Sequence, residues 1–297
     1  MGRSRSLIFI PGNNTRFLEK SKTINSDIIC FDLEDSVPLN EKETARKLVK
    51  KTVQEFTKMD QSNKKILVSV RINAPNSHLA IDDLKNIISE GIDAIVIPKV
   101  ETKFQIISLS NVIKTIEKEN GIPNNFIKLM PSIESSLGVV NAYSIAKSDQ
   151  RISSLVFGIF DFLHDMKIDN NDADILTGYM YARAKVPVDA RAAGIDSIDS
   201  IWQNIDDMNG LEKDSNFGRK LGYTGKCIIH PSQIEHVHKV FSPNAQDIQW
   251  AKKVISALDE SIHGKPIKIG AINLEGKMID AVHYKQAKRI LDSLIHQ

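Results

Sequence analysis

The 297-residue chain carries 39 Lys+Arg against 37 Asp+Glu, a formal net charge of +2, with 41% hydrophobic and 26% charged residues. That balance gives no general electrostatic reason to bind nucleic acid or an anionic membrane, and the composition is that of a globular protein. No apolar run approaches the ~20 residues of a membrane-spanning helix, and the run Leu7–Pro11 behind the basic start is too short for a signal peptide. Cys30 and Cys227 each lie inside an apolar run. They read as buried free thiols of a reducing, cytoplasmic compartment.

Taken in chain order, short apolar runs alternate with longer segments of helical spacing. The strand expectations are Leu7–Ile10, Ile28–Phe31, Ile66–Ile72, Ala94–Ile97, Lys128–Ile133, Ser154–Phe157, Ile195–Ile198 and Lys226–Ile229. Most carry few polar positions, as strands buried on both faces of a parallel sheet do. Gly194-Ile195-Asp196-Ser197-Ile198-Asp199 is the short and polar exception. Helices are expected over Glu41–Phe56, Leu79–Ser89, Phe104–Glu119 and Val139–Ala146. Asn40 is placed to cap the first of these, with Glu41 and Glu43 in its opening turn. Gly91 stands at a C′-like position after the second, and Val139, Val140, Tyr143 and Ala146 share one face of the last.

Strand-then-helix units in this number predict an α/β fold, a (β/α)₈ TIM barrel over residues 1–241. Ser242-Pro243-Asn244 reads as a break before a C-terminal helical extension, residues 242–297. That extension holds helices at Ala245–Leu258 and Tyr284–Ile295 around a Gly-bounded segment, Gly264–Gly276. Its apolar content is too small for an independent domain, so it is expected to pack on the barrel or on a neighbouring subunit.

Chemistry in such barrels sits at the C-terminal ends of the strands. Those ends read Pro11-Gly12-Asn13-Asn14, Asp32-Leu33-Glu34-Asp35, Arg71-Ile72-Asn73, Pro98-Lys99, Pro131-Ser132-Ile133-Glu134, Gly158-Ile159-Phe160-Asp161 and His230-Pro231. Turns favour Asp, Asn, Pro and Gly for conformational reasons alone. Charges converging from five distant strands point instead to a rim active site. Carboxylates dominate this rim, and hard oxygen ligands suit Mg²⁺ or Mn²⁺ rather than zinc. Glu134 and Asp161, on adjacent strands, are the natural metal pair, although Asp161 is equally placed for a helix N-cap. Arg71, ending the apolar run Leu67-Val68-Ser69-Val70, needs an anion, either a protein carboxylate or a bound one.

Other signals are weaker. His236-x-His238 has a metal-like spacing but reads as the polar face of a helix. Thr224-Gly225-Lys226 lacks the preceding glycines of a P-loop, and neither G-x-G-x-x-G nor a serine nucleophile elbow occurs. Arg16, Lys20 and Lys22 follow the first strand, as phosphate ligands or as solvated helix residues. Lys99 keeps a Schiff-base aldolase open as an alternative.

The strings Arg5-Ser6-Leu7-Ile8-Phe9-Ile10-Pro11-Gly12-Asn13, Phe31-Asp32-Leu33-Glu34-Asp35-Ser36-Val37 and Val70-Arg71-Ile72-Asn73 resemble the HpcH/HpaI aldolase and citrate lyase β-subunit family. So do Ile97-Pro98-Lys99-Val100-Glu101, Pro131-Ser132-Ile133-Glu134, Phe157-Gly158-Ile159-Phe160-Asp161 and Gly225-Lys226-Cys227-Ile228-Ile229-His230-Pro231, and the tail Gly276-Lys277-Met278-Ile279-Asp280 extends the match.

This resemblance implies a Mg²⁺-dependent carbon–carbon lyase that cleaves a β-hydroxyacyl-CoA thioester of citryl-, malyl- or citramalyl-CoA type to acetyl-CoA plus a keto acid. It implies Glu134 and Asp161 as metal ligands, Arg71 and Glu134 on the substrate, and Phe9, Lys20 and Pro131 as further substrate contacts, Phe9 and Lys20 toward coenzyme A. Asp280 matches an acid that relatives contribute from a neighbouring subunit's tail, which implies a homo-oligomer, a trimer or hexamer. An arginine of related malyl-CoA lyases falls here on Asn14, with Arg16 two residues on. Two alternatives stay open: a class II aldolase on free hydroxy-keto acids, or a β subunit working inside a citrate lyase complex on an acyl carrier protein.

Overall fold

The computed structural model describes residues 4–59, 66–168, 175–260 and 270–295. The chain divides into two compact units, Met1–Phe241 and Ser242–Gln297. In the first, β1 (Ser6–Pro11), β2 (Ile28–Asp32), β3 (Leu67–Arg71), β4 (Ala94–Ile97), β5 (Lys128–Ile133), β6 (Ser154–Phe157), β7 (Asp196–Asp199) and β8 (Gly225–Ile228) close into one parallel barrel in sequence order. Parallel neighbours require crossovers, and helices supply them. They are α1 (Thr15–Ser21), α2 (Lys42–Phe56), α3 (Leu79–Ile87), α4 (Lys103–Glu119), α5 (Ser136–Ala146), α6 (Ile159–Asp165), α7 (Ile175–Ala193), α8 (Met208–Leu221) and α9 (Gln233–Phe241).

Alternation along each strand sorts the core into two layers. One set, which includes Ile8, Ile29, Val68, Ile95, Leu129 and Leu155, packs against the helices. The other, Leu7, Ile28, Cys30, Leu67, Ala94, Val96, Met130, Val156, Ile198 and Cys227, comes from strands alone and fills the lumen. Both cysteines are buried and free.

The polarity of β7 has a structural cause. Asp199 accepts from Arg183 Nε at 3.0 Å and lies 3.2 Å from Lys226 Nζ, while Asp214 accepts from Arg183 Nη1 at 2.7 Å and also pairs with Lys226. Four charges thus cancel between the barrel wall and its helices. Pro187 interrupts the hydrogen-bond ladder of α7, leaving the Arg183 carbonyl without its helical donor. The Tyr223 hydroxyl fills that place at 2.9 Å.

Three local expectations are corrected. Asn40 does not cap α2; it sits in the 3₁₀ turn Leu39–Glu41, and Glu41 is the N-cap without a side-chain bond. Gly91 has the left-handed φ of +100°, but α3 has already ended at its C-cap, Ile88. Along α5 the buried face is Gly138, Val139, Ala142, Ile145 and Ala146, whereas Val140 and Tyr143 are exposed.

The second unit holds α10 (Ala245–Glu260), an antiparallel hairpin of β9 (Ile272–Leu274) and β10 (Lys277–Ile279), and α11 (Ala281–Ile295). Glu275 and Gly276 both take positive φ, the turn that suits the hairpin's twist. Its own small core gathers Ala251, Val254, Leu258, Ile279 and Ala287. Of the expected segment Gly264–Gly276, residues 264–269 lie outside the described residues. Among the described residues no helix is long and apolar enough to cross a membrane.

Candidate active site

The lumen's alternation continues into its uppermost layer. Asp32 follows Ile28 and Cys30 on β2, Arg71 follows Leu67 and Ser69 on β3, and Glu134 follows Met130 and Ser132 from β5. The register pairs Pro11 with Asp32 and Asp32 with Arg71, so these residues stand at one level. They line a pocket of about 290 Å³ together with Phe9, Ser132, Gly158, Asp161, Ser200 and Ile229.

Arg71 is held on three sides. Its Nε and Nη2 donate to the two Asp32 carboxylate oxygens, both at 2.7 Å, and Nη1 lies 3.1 Å from Glu34 Oε2. Its guanidinium carbon stands 4.7 Å from the centre of the Phe9 ring. A guanidinium has five N–H groups, so this grip fixes its plane and leaves donors for a ligand. Asp32 also accepts the backbone N–H of Glu34 at 2.9 Å and of Ser36 at 3.2 Å. Burial opposes its charge, but Arg71 outweighs burial and holds the Asp32 carboxyl below the usual carboxylate range.

Lys99, two residues past β4, lies in the left-handed region, at φ 52°, a conformation a side chain adopts at some cost. Its Nζ lies 2.8 Å from Glu34 Oε1, 3.0 Å from Asp35 Oδ2 and 3.7 Å from Asp161 Oδ1. Partial burial works against the ammonium, but Glu34 and Asp35 raise its pKa well above the usual value. A Schiff base needs a neutral amine, so this environment disfavours the Schiff-base alternative. The Glu34 oxygens meet Arg71 and Lys99 at ion-pair distance without satisfying hydrogen-bond geometry, so the contact is electrostatic.

Glu134 is the anomaly. It is 5% exposed, and Oε2 has no hydrogen-bond partner. Burial, reinforced by the nearby Glu34 charge, pushes its pKa up to about 7. Gly158 makes its room: a Cβ there would lie 2.4 Å from Glu134 Cγ. Asp161 occupies the first turn of α6, where the helix dipole favours an acid, and Gly158 is the N-cap. An orphaned buried carboxylate oxygen in an oxygen-only donor set is what a hard cation requires. Among the described residues no group of three or more His, Cys, Asp or Glu could hold a metal ion. Mg²⁺ takes one or two protein carboxylates and leaves its other positions to water and substrate, so the Glu134–Asp161 pair fits it and does not fit a zinc cage.

Beside this pocket runs an apolar groove of about 350 Å³, lined by Phe9, Phe17, Lys20, Ile24, His230 and Pro231 among others. Asn14 caps α1 by accepting the Phe17 N–H at 3.1 Å.

The HpcH/HpaI aldolase/citrate lyase family model matches residues 5–231. The chain belongs to that family. Aldolases and citrate lyases make or break carbon–carbon bonds, which places the chain among carbon–carbon lyases. The citrate lyase subunit beta of Leuconostoc mesenteroides subsp. cremoris is 36% identical over 97% of this chain and 92% of its own length. The mitochondrial citramalyl-CoA lyase of Mus musculus is 31% identical over 97% of this chain and 85% of its own. The fold matches that of the protein CitE from Mycobacterium tuberculosis in complex with magnesium, acetoacetate and coenzyme A, with a TM-score of 0.77, 24% identity and 98% of each chain covered.

Of the residues the family resemblance singles out, Phe9, Arg71, Glu134 and Asp161 share one pocket. Lys20 lies in the adjoining groove. Pro131 lines neither; alternation turns it away from the lumen between Met130 and Ser132. Asp280 belongs to the second unit, where its carboxylate accepts the Val282 N–H at 2.9 Å and pairs with His283 Nδ1 at 2.8 Å. Asp32 and Glu34 stand outside the expected set, yet they hold Arg71. Their signal was the acid-rich end of the second strand, Asp32-Leu33-Glu34-Asp35. His236 and His238 serve separate partners, Glu212 Oε1 at 2.8 Å and Ser6 Oγ at 2.7 Å, not one metal. Lys22 is engaged by Glu19 and Glu55, each at 2.8 Å.

Proposed function

We propose that this chain is a Mg²⁺-dependent lyase that cleaves a β-hydroxyacyl-CoA thioester to acetyl-CoA and a keto acid. The observation that carries the reading is the orphaned, buried Glu134 carboxylate sharing a pocket with Asp161 and with an arginine clamped in one orientation. The relatives' names and their magnesium- and coenzyme A-bound fold agree with it.

Glu134 and Asp161 would hold the ion, which when bound supplies Lewis-acid polarisation of substrate oxygens. The reaction breaks the bond between the hydroxyl-bearing carbon and the carbon beside the thioester. The hydroxyl loses its proton as its carbon becomes a keto group, and the electron pair passes to the thioester as an enolate. Arg71 offers its remaining N–H donors to the developing anion, pre-aimed by Asp32 and Glu34. The enolate carbon then takes a proton to give the acetyl thioester. We assign both proton transfers to Asp280, whose carboxylate takes the hydroxyl proton and returns it to the enolate carbon, supplied by the tail of a second copy in a homo-oligomer, a trimer or hexamer. His283 and two backbone N–H groups hold its carboxyl below the usual range, so it works as an ionised base that exchanges protons during turnover. Phe9 and Lys20 receive the coenzyme A arm in the apolar groove, and the buried thiols suit a cytoplasmic enzyme.

A coupled assay over citryl-, malyl- and citramalyl-CoA, with Mg²⁺ and after chelation, tests this. One of the three should release acetyl-CoA and its keto acid only when Mg²⁺ is present. Metal-independent cleavage, or none of all three, overturns the reading.

A further inference from the structure

We propose that Lys42 is a positioning residue for this reaction: it holds the Leu33–Glu34 backbone so that the Glu34 carboxylate bridges Arg71 and Lys99. The inference rests on the lyase reading above and extends it to a residue behind the site.

Lys42 is an expensive choice where it stands. It is the first residue of α2, where the helix dipole opposes a cation, and it is only 8% exposed. Among the described ion pairs none involves Lys42. Its Nζ donates instead to two consecutive backbone carbonyls, Leu33 at 2.6 Å and Glu34 at 2.7 Å. Burial pushes its pKa down, and Asp32, Asp83, Glu34 and Asp35 pull it part of the way back.

The turn it grips is pinned from both sides. On the lumen side the Asp32 carboxylate takes the N–H groups of Glu34 and Ser36. On the helix side the Leu33 carbonyl also accepts from Asn73 Nδ2 at 3.0 Å. Asn73 is locked in turn by Asp83, which accepts its backbone N–H and its Nδ2, both at 2.7 Å, and the Nε of Arg46 at 2.7 Å. A neutral donor therefore already serves Leu33. The Glu34 carbonyl likewise accepts the Val37 N–H at 3.0 Å, so what the ammonium adds is a charged link that ties the two carbonyls together. The Glu34 carboxylate bridges Arg71 at 3.1 Å and Lys99 at 2.8 Å, so a shift of that backbone would lengthen both contacts. Lys42 also sets a positive charge behind Asp32, Glu34 and Asp35, which lowers the repulsion of holding them together.

The test is a double-mutant cycle in the full-length protein, with Lys42→Met, Lys42→Arg, Glu34→Gln and Lys42→Met/Glu34→Gln assayed with the thioester that the wild type cleaves. Lys42→Met is expected to lower kcat by about 30-fold while KM moves less than about 3-fold, and Lys42→Arg to retain most of the activity. In the Glu34→Gln background, Lys42→Met should cost less than about 2-fold more, because both changes break one arrangement. If Lys42→Met does not fold, Lys42→Gln, which keeps a donor but not the charge, takes its place in the cycle. Unchanged kcat, effects that multiply, or Lys42→Arg no better than Lys42→Met overturns the proposal. Should the wild type cleave no β-hydroxyacyl-CoA, the lyase reading fails by itself. Crystal structures of the Lys42 variant then decide: Glu34 displaced from Arg71 and Lys99 supports the role, and Glu34 unmoved ends it.

Discussion

Two clusters of charge are built into this barrel, and they obey opposite rules. Outside the wall, Arg183 and Lys226 face Asp199 and Asp214, two cations against two carboxylates, and no side-chain nitrogen or oxygen among them is left without a partner. At the rim, Asp32, Glu34, Asp35, Glu134 and Asp161 face Arg71 and Lys99, with Lys42 behind them, and Glu134 keeps an orphaned oxygen. Balanced and saturated charge stiffens a fold, though often at no net gain over apolar packing. A surplus of carboxylate gathered in one place does the reverse: it stores repulsion that a dication relieves. Burial alone does not separate the two; residual charge does.

Glu134→Gln breaks the comparison most sharply. It should lower Mg²⁺-dependent cleavage by roughly 10⁴-fold, the several kcal/mol that a Lewis acid supplies, and weaken Mg²⁺ binding by calorimetry. In the metal-free protein the same change should not destabilise at neutral pH. The Glu134 carboxyl is raised from 4.5 in its ordinary state to about 7 in the fold. The folded form thus binds a proton that the unfolded chain has released. Its contribution to stability is fully present below about pH 4.5 and is lost as pH rises through about 7. Denaturant titrations of metal-free wild type should show that decline, at most about 3 kcal/mol, and Glu134→Gln should remove it. A wild type that gains stability over the same interval would contradict the assignment of surplus charge to the rim.

Asp199→Asn probes the other cluster and should do the opposite, leaving the chemistry and taking stability. With Asp199 fully buried, neutralising it strands Arg183 and Lys226 with one carboxylate between them, a loss of ~3–5 kcal/mol. The thermal midpoint should fall while KM of whatever folds is unchanged. Equal loss of activity per folded molecule would show that the outer cluster also serves the site.

The difference between the clusters was only partly legible in the sequence. Strand order and the acids and bases at strand ends are local signals, and Asp32, Arg71, Glu134 and Asp161 follow from them once alternation is respected. Pro131 shows the limit, since a residue between two lumen positions faces the helices whatever motif it belongs to. The exposed Val140 and Tyr143 on α5 show another: apolar spacing marks a stripe but not which stripe the barrel covers. Pairing across distance was invisible. Nothing near Asp199 in the chain announces Lys226, because that contact exists only after the barrel closes, and no local spacing rule says that the Lys42 ammonium turns back onto the Glu34 carbonyl eight residues before it. Lys42 did leave one trace, a lysine at a helix start where acids are favoured.

The smallest effect sharpens the comparison within the balanced cluster itself. Asp214 pairs with the same two cations as Asp199 but keeps 17% of its side chain in water. Asp214→Asn leaves Lys226 and Arg183 on Asp199 and lets solvent screen the rest, so it should cost about 1–2 kcal/mol, less than Asp199→Asn. Its pH signature should also differ from that of Glu134. Burial disfavours the Asp214 carboxylate, but Lys226 and Arg183 prevail and hold its pKa below the usual value. A depressed pKa gives stability that is present above about pH 4 and lost as pH falls through the folded value. The gap between wild type and Asp214→Asn should therefore be constant at neutral pH and close under acid, where the Glu134 effect is greatest. Two carboxylates of one barrel would then titrate stability in opposite directions, and a gap that persists at pH 2 would mean that Asp214 contributes by packing and not by charge.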